Sequence, residues 1–190
     1  RLTYFSTPHR GLALLPAAIN YLSQHRDDFV VDVYSSFELY GWKDNDAAFK
    51  GIFDALDEFD CVKLHGTVDN ATIRENLLTT DVLAYPSIYQ ETSCRVLIES
   101  LCAGLLCVVP NYAALTETGT DYCFMYDWNS NPEEHIKTFT NTLNQAIDAS
   151  KMPFYQSLLK MQRNHYGYFY SWDMRAVQWT QMLTGLLEDE

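Results

Sequence analysis

The sequence predicts an α/β fold built on a mainly parallel sheet, from three observations. Short apolar runs alternate with longer helical ones, several of those runs stop at a glycine or proline, and everything beyond Tyr126 is helical in pattern. The sheet is therefore expected to be complete by Tyr126, with helices on both faces and further helices at the C-terminal end. At 190 residues the chain suits one domain, 1–190, with a substantial core.

Residues 2–6 read as the first strand, followed by the turn Thr7-Pro8-His9-Arg10-Gly11 and a helix over 12–24, in which Pro16 is tolerated only near the first turn. A second strand is expected over 29–34, an exposed polar and aromatic loop over 35–46, and a helix over 47–59. Residues 62–65 form a short strand stopped by Gly66, and Asn70 is placed as the N-cap of a helix running to 78. The strand 82–85 ends at Pro86; a helix over 95–103 closes at Gly104 as its C-cap; residues 105–109 make a strongly apolar strand and 122–126 another. Asn131-Pro132-Glu133-Glu134 combines a cap, a proline at the first helical position and an acid three residues after the cap, so a helix is expected to 149. Helices over 154–165 and 172–187 complete the chain.

Composition narrows the function classes. The formal net charge is −12, from 25 acidic and 13 basic side chains, a field that repels polyanions and argues against nucleic-acid binding. One small anion remains possible, because a phosphate site needs only a few local donors. Five cysteines, Cys61, Cys94, Cys102, Cys107 and Cys123, show no CxxC spacing and sit mostly in apolar runs, which implies a reducing compartment with neither a zinc site nor a disulfide framework. A cytoplasmic location is expected, with peripheral attachment to a membrane through other parts of the protein as a second possibility. No run approaches the length that crosses a bilayer. The opening Arg1-Leu2-Thr3-Tyr4-Phe5 is no signal peptide, and its abrupt start in a strand, without an initiator methionine, suggests a piece of a longer protein.

The chemistry is concentrated between Pro86 and Glu99. A strand ends at Tyr85, a short loop carries Glu91, and a helix is expected to begin near Thr92 or Ser93. In an open α/β sheet, ligands bind in the crevice beyond the strand C-termini, and the free N–H groups of a helix start favour an anion. Glu99 follows Arg95 by four residues, so the two share one side of that helix. Two carboxylates flanking such a helix start could hold a sugar at one end and a ribose at the other. From spacing alone, Arg95 and Glu99 read more readily as a surface pair, and Arg10 as a solvated turn residue. His9 and His65 read as loop and strand-end residues, and the many aromatic side chains mostly as core. Tyr34, Phe37, Tyr40 and Trp42 fall in or beside the expected loop and could flank a ligand.

The segment from Glu91 through Glu99 to Ser100-Leu101-Cys102-Ala103-Gly104 and Pro110, with seven residues between the glutamates, resembles the signature of retaining glycosyltransferases of the GT-B fold, in the group-1 or family-4 class that includes glycogen and sucrose synthases. Four further segments resemble the C-terminal domain of that class in the same order: 4–12, 62–66, 113–118, and Ser171-Trp172 with Trp179. The resemblance implies a Rossmann-like domain that binds a nucleoside diphosphate sugar without metal or other cofactor and transfers the sugar, with retention, to a glycan or other acceptor held by an N-terminal Rossmann-like domain. It implies that Glu91 contacts the sugar near the reacting centre and that the backbone of Thr92, Ser93 and Cys94 approaches the sugar and diphosphate. Glu99 would accept from both ribose hydroxyls, Arg10 would bind phosphate, Gly11 would permit the turn beneath it, and the rim from Gly66 to Val68, with His65, would border the base.

Some residues depart from that pattern. Phe5 or Ser6 stands where the class has an arginine, so one phosphate cation is missing. Thr92 and Cys94 replace glycines, as do Ala113 and Ala114. Three alternatives stand beside the transferase: an epimerase or phosphorylase of the same fold, a noncatalytic sugar-nucleotide-binding module, and a doubly wound signalling domain. The last needs an acidic pocket at the end of the first strand, which residues 2–6 do not supply.

Overall fold

Six parallel strands are arranged in the order β3-β2-β1-β4-β5-β6 in a computed structural model that describes residues 1–188. They are β1 (Leu2–Phe5), β2 (Val31–Tyr34), β3 (Val62–Leu64), β4 (Val82–Ala84), β5 (Leu106–Pro110) and β6 (Phe124–Tyr126). Leu2 of β1 lies opposite Val31 of β2 on one side and Val82 of β4 on the other. The chain thus winds outward from β1 in one direction and from β4 in the other, and the two loops leaving these central strands diverge. That divergence opens a crevice at their C-terminal ends. Every residue of β1, β2, β4 and β5 is buried, as a sheet covered on both faces requires.

The helices are α1 (Leu15–Ser23), α2 (Lys50–Asp57), α3 (Asn70–Leu77), α4 (Arg95–Ala103), α5 (Ala114–Gly119), α6 (Pro132–Ser150), α7 (Pro153–Phe169) and α8 (Trp172–Glu188). One group packs α1 against α2 and α6; a second packs α4 against α5 and α7. Right-handed crossovers put these groups on opposite faces of the sheet. The α6 helix starts as expected: the Asn131 side chain accepts from the Glu133 N–H at 2.9 Å, with Pro132 in the first turn. Its buried face, His135, Phe139, Leu143, Ala146 and Ile147, recurs at helical spacing and covers β4 to β6. The α7 helix secures α4 from behind. Gln162, fully buried, donates to the carbonyls of Leu101 and Leu105, and the Tyr166 hydroxyl donates to the Thr118 carbonyl at 2.7 Å.

Several boundaries differ from the sequence reading. Residues 12–14 form a tight 3-10 turn and α1 proper begins at Leu15, which leaves Pro16 in the first turn. The second strand begins two residues late, at Val31. The expected loop over 35–46 is two 3-10 turns, Phe37–Tyr40 and Lys43–Phe49, and α2 starts only at Lys50. Asp46 causes this by accepting from the Ser36 hydroxyl and the Phe37 N–H, which folds the segment back on itself. Asp69, rather than Asn70, caps α3, accepting from the Thr72 N–H at 2.8 Å. Residues 113–118, to which the sequence reading assigned no helix, contain most of α5, whose start places Ala113 at φ 49° and ψ −139°.

Only glycine adopts that conformation freely, and another residue there costs about 1–3 kcal/mol. Ala113→Gly removes the strain but adds about 0.5–1 kcal/mol of chain entropy on folding. The variant is expected to be more stable by about 1 kcal/mol, a rise in Tm of about 2–4 °C by scanning calorimetry; an unchanged or lower Tm would show that the backbone is not strained there.

Candidate functional site

The loop after β1 and the loop after β4 touch at Gly11. This residue has φ 117°, and a Cβ built on it would lie 2.1 Å from the Pro86 carbonyl oxygen. No side chain fits between the two backbones. The turn before it is pinned by Tyr4, whose buried hydroxyl donates to the Thr7 carbonyl at 3.0 Å. Arg10 is thereby carried across the crevice to the residue it meets on the other loop.

That residue is Glu91. Arg10 Nη1 donates to Glu91 Oε1 at 2.5 Å, and the Tyr85 hydroxyl donates to the same oxygen at 2.8 Å. Ser6 Oγ lies 3.4 Å from the Tyr85 hydroxyl. Glu91 is only 7% exposed, so a second acceptor or donor of poor geometry would be costly here. Burial works against the Arg10 charge, but the bond and attraction to Glu91 outweigh it and raise its pKa above the ordinary arginine value. Burial also pushes the Tyr85 hydroxyl far above its usual range, so it stays protonated and remains a donor to the carboxylate. The Arg10 guanidinium lies over the Tyr89 ring, 4.3 Å from its centroid. His9 stacks on Phe37 and meets Tyr89 edge-on, which makes it a packing residue of the loop, as read from sequence.

Beyond Glu91 the chain does not enter the helix at Thr92 or Ser93. Short turns (Ser87 N–H to the Tyr85 carbonyl, Glu91 N–H to the Tyr89 carbonyl) occupy the segment, and α4 begins at Arg95 with Cys94 in the cap position. The Ala114 N–H donates to the Glu91 carbonyl at 3.1 Å, so the strained turn at Ala113 also holds this loop. The Cys94 side chain is buried, and burial pushes its thiol up to about 12, leaving it neutral. Glu99 is half exposed and accepts from Arg95 Nη2 at 3.2 Å.

These residues line one cavity of about 580 Å³, within the usual range for a small-molecule site. Ser6, Thr7 and Arg10 bound it from the β1 loop, Tyr85 and the segment 89–94 from the β4 loop, and Arg95, Val96 and Glu99 from α4. Tyr34, Leu39 and Tyr40 stand on the β2 side, and Gly66, Thr67 and Val68 beyond β3. Of the residues singled out from sequence, Arg10, Gly66, Glu91, Thr92, Ser93, Cys94 and Glu99 all border the cavity, while Gly11 lies behind it and supports its wall. Phe37 and Trp42 do not line it; Leu39 does, though the sequence reading did not single it out.

Two contributors escaped the sequence reading. Tyr85 looked like the last apolar residue of a strand; a tyrosine directly before Pro86, where the strand ends, was the available signal. Asp32, in β2, was not singled out from the sequence. It is buried and accepts from Arg1 Nε at 2.6 Å, with His65 Nε2 at 2.7 Å. Burial alone would raise its carboxyl, but these two partners outweigh burial and hold it below the ordinary value. The bond orients His65, which stacks on Tyr34 with ring centroids 4.4 Å apart, next to Gly66. Among the described residues, no group of three or more His, Cys, Asp or Glu side chains is placed to hold a metal ion, and no helix is long and apolar enough to cross a membrane.

Sheet order, crevice and flanking helices together define a Rossmann-like α/β domain, and the solved structures that share this fold over about half their length are GT-B glycosyltransferases. The chain is similar over its full length to a Rickettsia africae glycosyltransferase, with TM-score 0.78, 17% identity and 48% of that chain covered. It is likewise similar to a sucrose-phosphate synthase from Thermosynechococcus elongatus, with TM-score 0.75, 16% identity and 45% covered. A third similar structure, Anabaena HepE in complex with UDP, has TM-score 0.72 and 16% identity over all of this chain and 48% of its own. This chain thus spans about half the length of the solved structures it matches. No protein-family model matches the sequence, and no curated protein does.

The Gly11 contact gives the geometry a direct check. Gly11→Ala combines an unfavourable φ with a backbone clash, and the expected destabilisation is about 3 kcal/mol or more. Urea unfolding should show it as a lower midpoint at an unchanged slope; a midpoint equal to that of the parent chain would mean that the two loops do not touch.

Proposed function

We propose that residues 1–190 are the donor-binding half of a retaining, family-4-type glycosyltransferase, which binds a nucleoside diphosphate sugar in the cavity between the β1 and β4 loops. The observation that carries the reading is the meeting of Arg10 with Glu91 beside the first turn of α4, in the crevice where folds of this kind bind ligands. Structures of the same fold in complex with UDP, UDP-glucose, or ADP and acarbose support a nucleotide as the ligand class.

In this reading the diphosphate lies at the N-terminal end of α4, beside the backbone of Thr92, Ser93 and Cys94. Glu99 accepts from the ribose hydroxyls, and the base lies toward Gly66 and Val68. Glu91, held by Arg10 and Tyr85, faces the sugar. The bond between sugar C1 and the β-phosphate oxygen breaks through an oxocarbenium-like state, and negative charge grows on the departing diphosphate. The α4 N–H groups and the free N–H donors on the Arg10 fork stabilise that charge where it develops. The site needs no metal in this account, because the α4 N–H groups and the cavity's arginines supply the positive charge that the leaving group meets. The acceptor, a glycan or another molecule, would be held by an N-terminal Rossmann-like domain. Support for such a partner is the twofold length of the matched structures and the exposed apolar residues of α8, among them Trp179, Leu183 and Leu186. A cytoplasmic setting belongs to the same proposal and rests on the five cysteines without metal-site spacing.

Titration calorimetry against UDP, GDP and ADP, and against the matching sugar nucleotides, tests the reading on this chain. Glu99→Gln should weaken diphosphate and sugar donor alike, by roughly tenfold. Glu91→Gln should leave the diphosphate within about threefold, or bind it tighter because Arg10 loses its carboxylate, while weakening the sugar donor more. Equal damage to plain diphosphate by both variants would reverse the proposed donor orientation. No binding of any nucleotide by the parent chain would remove the function.

A further inference from the structure

Among the described residues lining the cavity, two are cationic, Arg10 and Arg95, and two are anionic, Glu91 and Glu99. The structure pairs them one to one: Arg10 with Glu91 at 2.5 Å, and Arg95 with Glu99 at 3.2 Å. As it stands, the cavity presents no unbalanced side-chain charge to an anion. A diphosphate meets a full, uncompensated positive charge only by drawing a cation away from a carboxylate, and the two pairs differ greatly in what that separation costs.

The Arg10–Glu91 pair is enclosed. Its side chains are 22% and 6% exposed, so a Glu91 carboxylate stripped of Arg10 would be left buried and unpaired. The Arg95–Glu99 pair is open. Arg95 is 80% and Glu99 44% exposed, the two sit one helical turn apart, and exposed pairs of this type contribute very little. Arg95 is also the first residue of α4, beside the free N–H groups of that helix, and it borders the same cavity as Arg10. It moves at almost no cost, whereas Arg10 stays with Glu91.

We propose that Arg95 is the mobile phosphate-binding cation of this site, swinging from Glu99 to the diphosphate as Glu99 takes up the ribose hydroxyls, with Arg10 acting as the fixed cation that holds Glu91. The inference rests on the nucleotide-site reading above. It adds a residue that the sequence left as a surface pair, and it supplies the second cation that positions 5 and 6 lack. The exchange is self-consistent. Glu99 trades the Arg95 N–H for two hydroxyl donors, and the Arg95 fork trades a carboxylate for phosphate oxygens of similar spacing.

The test measures diphosphate and nucleoside affinities side by side, by calorimetry for UDP or ADP and by NMR titration for uridine or adenosine. Arg95→Ala should weaken the diphosphate about tenfold or more and the nucleoside less than about twofold. Arg95→Lys should keep most of the affinity. An exposed position predicts an unchanged melting temperature for both variants, so loss of fold is separable from loss of binding. The double variant separates a direct phosphate contact from mere neutralisation of Glu99. In a Glu99→Gln background, Arg95→Ala should still lower the preference for diphosphate over nucleoside about tenfold. No change of that preference in this background, or equal diphosphate affinity of Arg95→Ala and parent, overturns the proposal. Failure of the parent chain to bind either diphosphate overturns the nucleotide site, and the role of Arg95 falls with it; loss of the Arg95 effect alone leaves the site standing.

Discussion

Two backbone segments, the turn after β1 and the end of β4, touch where Gly11 rests against the Pro86 carbonyl with no room for a side chain. The arrangement of the cavity follows from this contact. It sets Arg10 within 2.5 Å of Glu91, although 81 positions separate them in sequence, and it closes one wall of the crevice. Tyr85 then finds its acceptor on the same carboxylate, and Tyr4, packed 5.7 Å from Tyr85, holds the first turn from below. Behind α4, Gln162 and Tyr166 donate to carbonyls at or just beyond the ends of α4 and α5, so the wall that carries Glu99 is braced from the opposite side.

Electrostatics then decides how such a cavity meets an anion. The chain carries a formal charge of −12, so its overall field opposes a phosphate. Local geometry has to overcome that field. A helix start offers only partial charge that fades within a turn, and one of the two arginines is tied to a buried carboxylate. What remains is the loosely held Arg95 on the rim. The cavity is nearly neutral as it stands, and under the proposed exchange of partners it becomes positive toward the ligand.

Much of this was readable in the residues. The alternation of strands and helices and the caps at Asn131 and Gly104 rest on local rules, and the structure follows them; the residues singled out between Glu91 and Glu99 border one cavity. Where the sequence reading missed, a side chain had found a distant or unexpected partner. Asp46 folds the 35–49 segment into two 3-10 turns by accepting from Ser36 and Phe37, which no periodicity signals. The start of α4 moved to Arg95 because residues 87–91 are consumed by tight turns that bury Glu91. Spacing placed Glu91 and Glu99 on one segment but could not show that Glu91 is buried and Glu99 open. That difference, 6% against 44% side-chain exposure, separates a fixed charge from an exchangeable one.

A crystal structure of this chain with the nucleoside diphosphate that binds it most tightly would test the central claim most directly. The account predicts a diphosphate against the first turn of α4 between Arg10 and Arg95, ribose hydroxyls within hydrogen-bond reach of Glu99, and the Arg10–Glu91 bond still in place. A nucleotide bound away from the β1–β4 crevice, or with its phosphates remote from α4 and its base against Glu91, would contradict it.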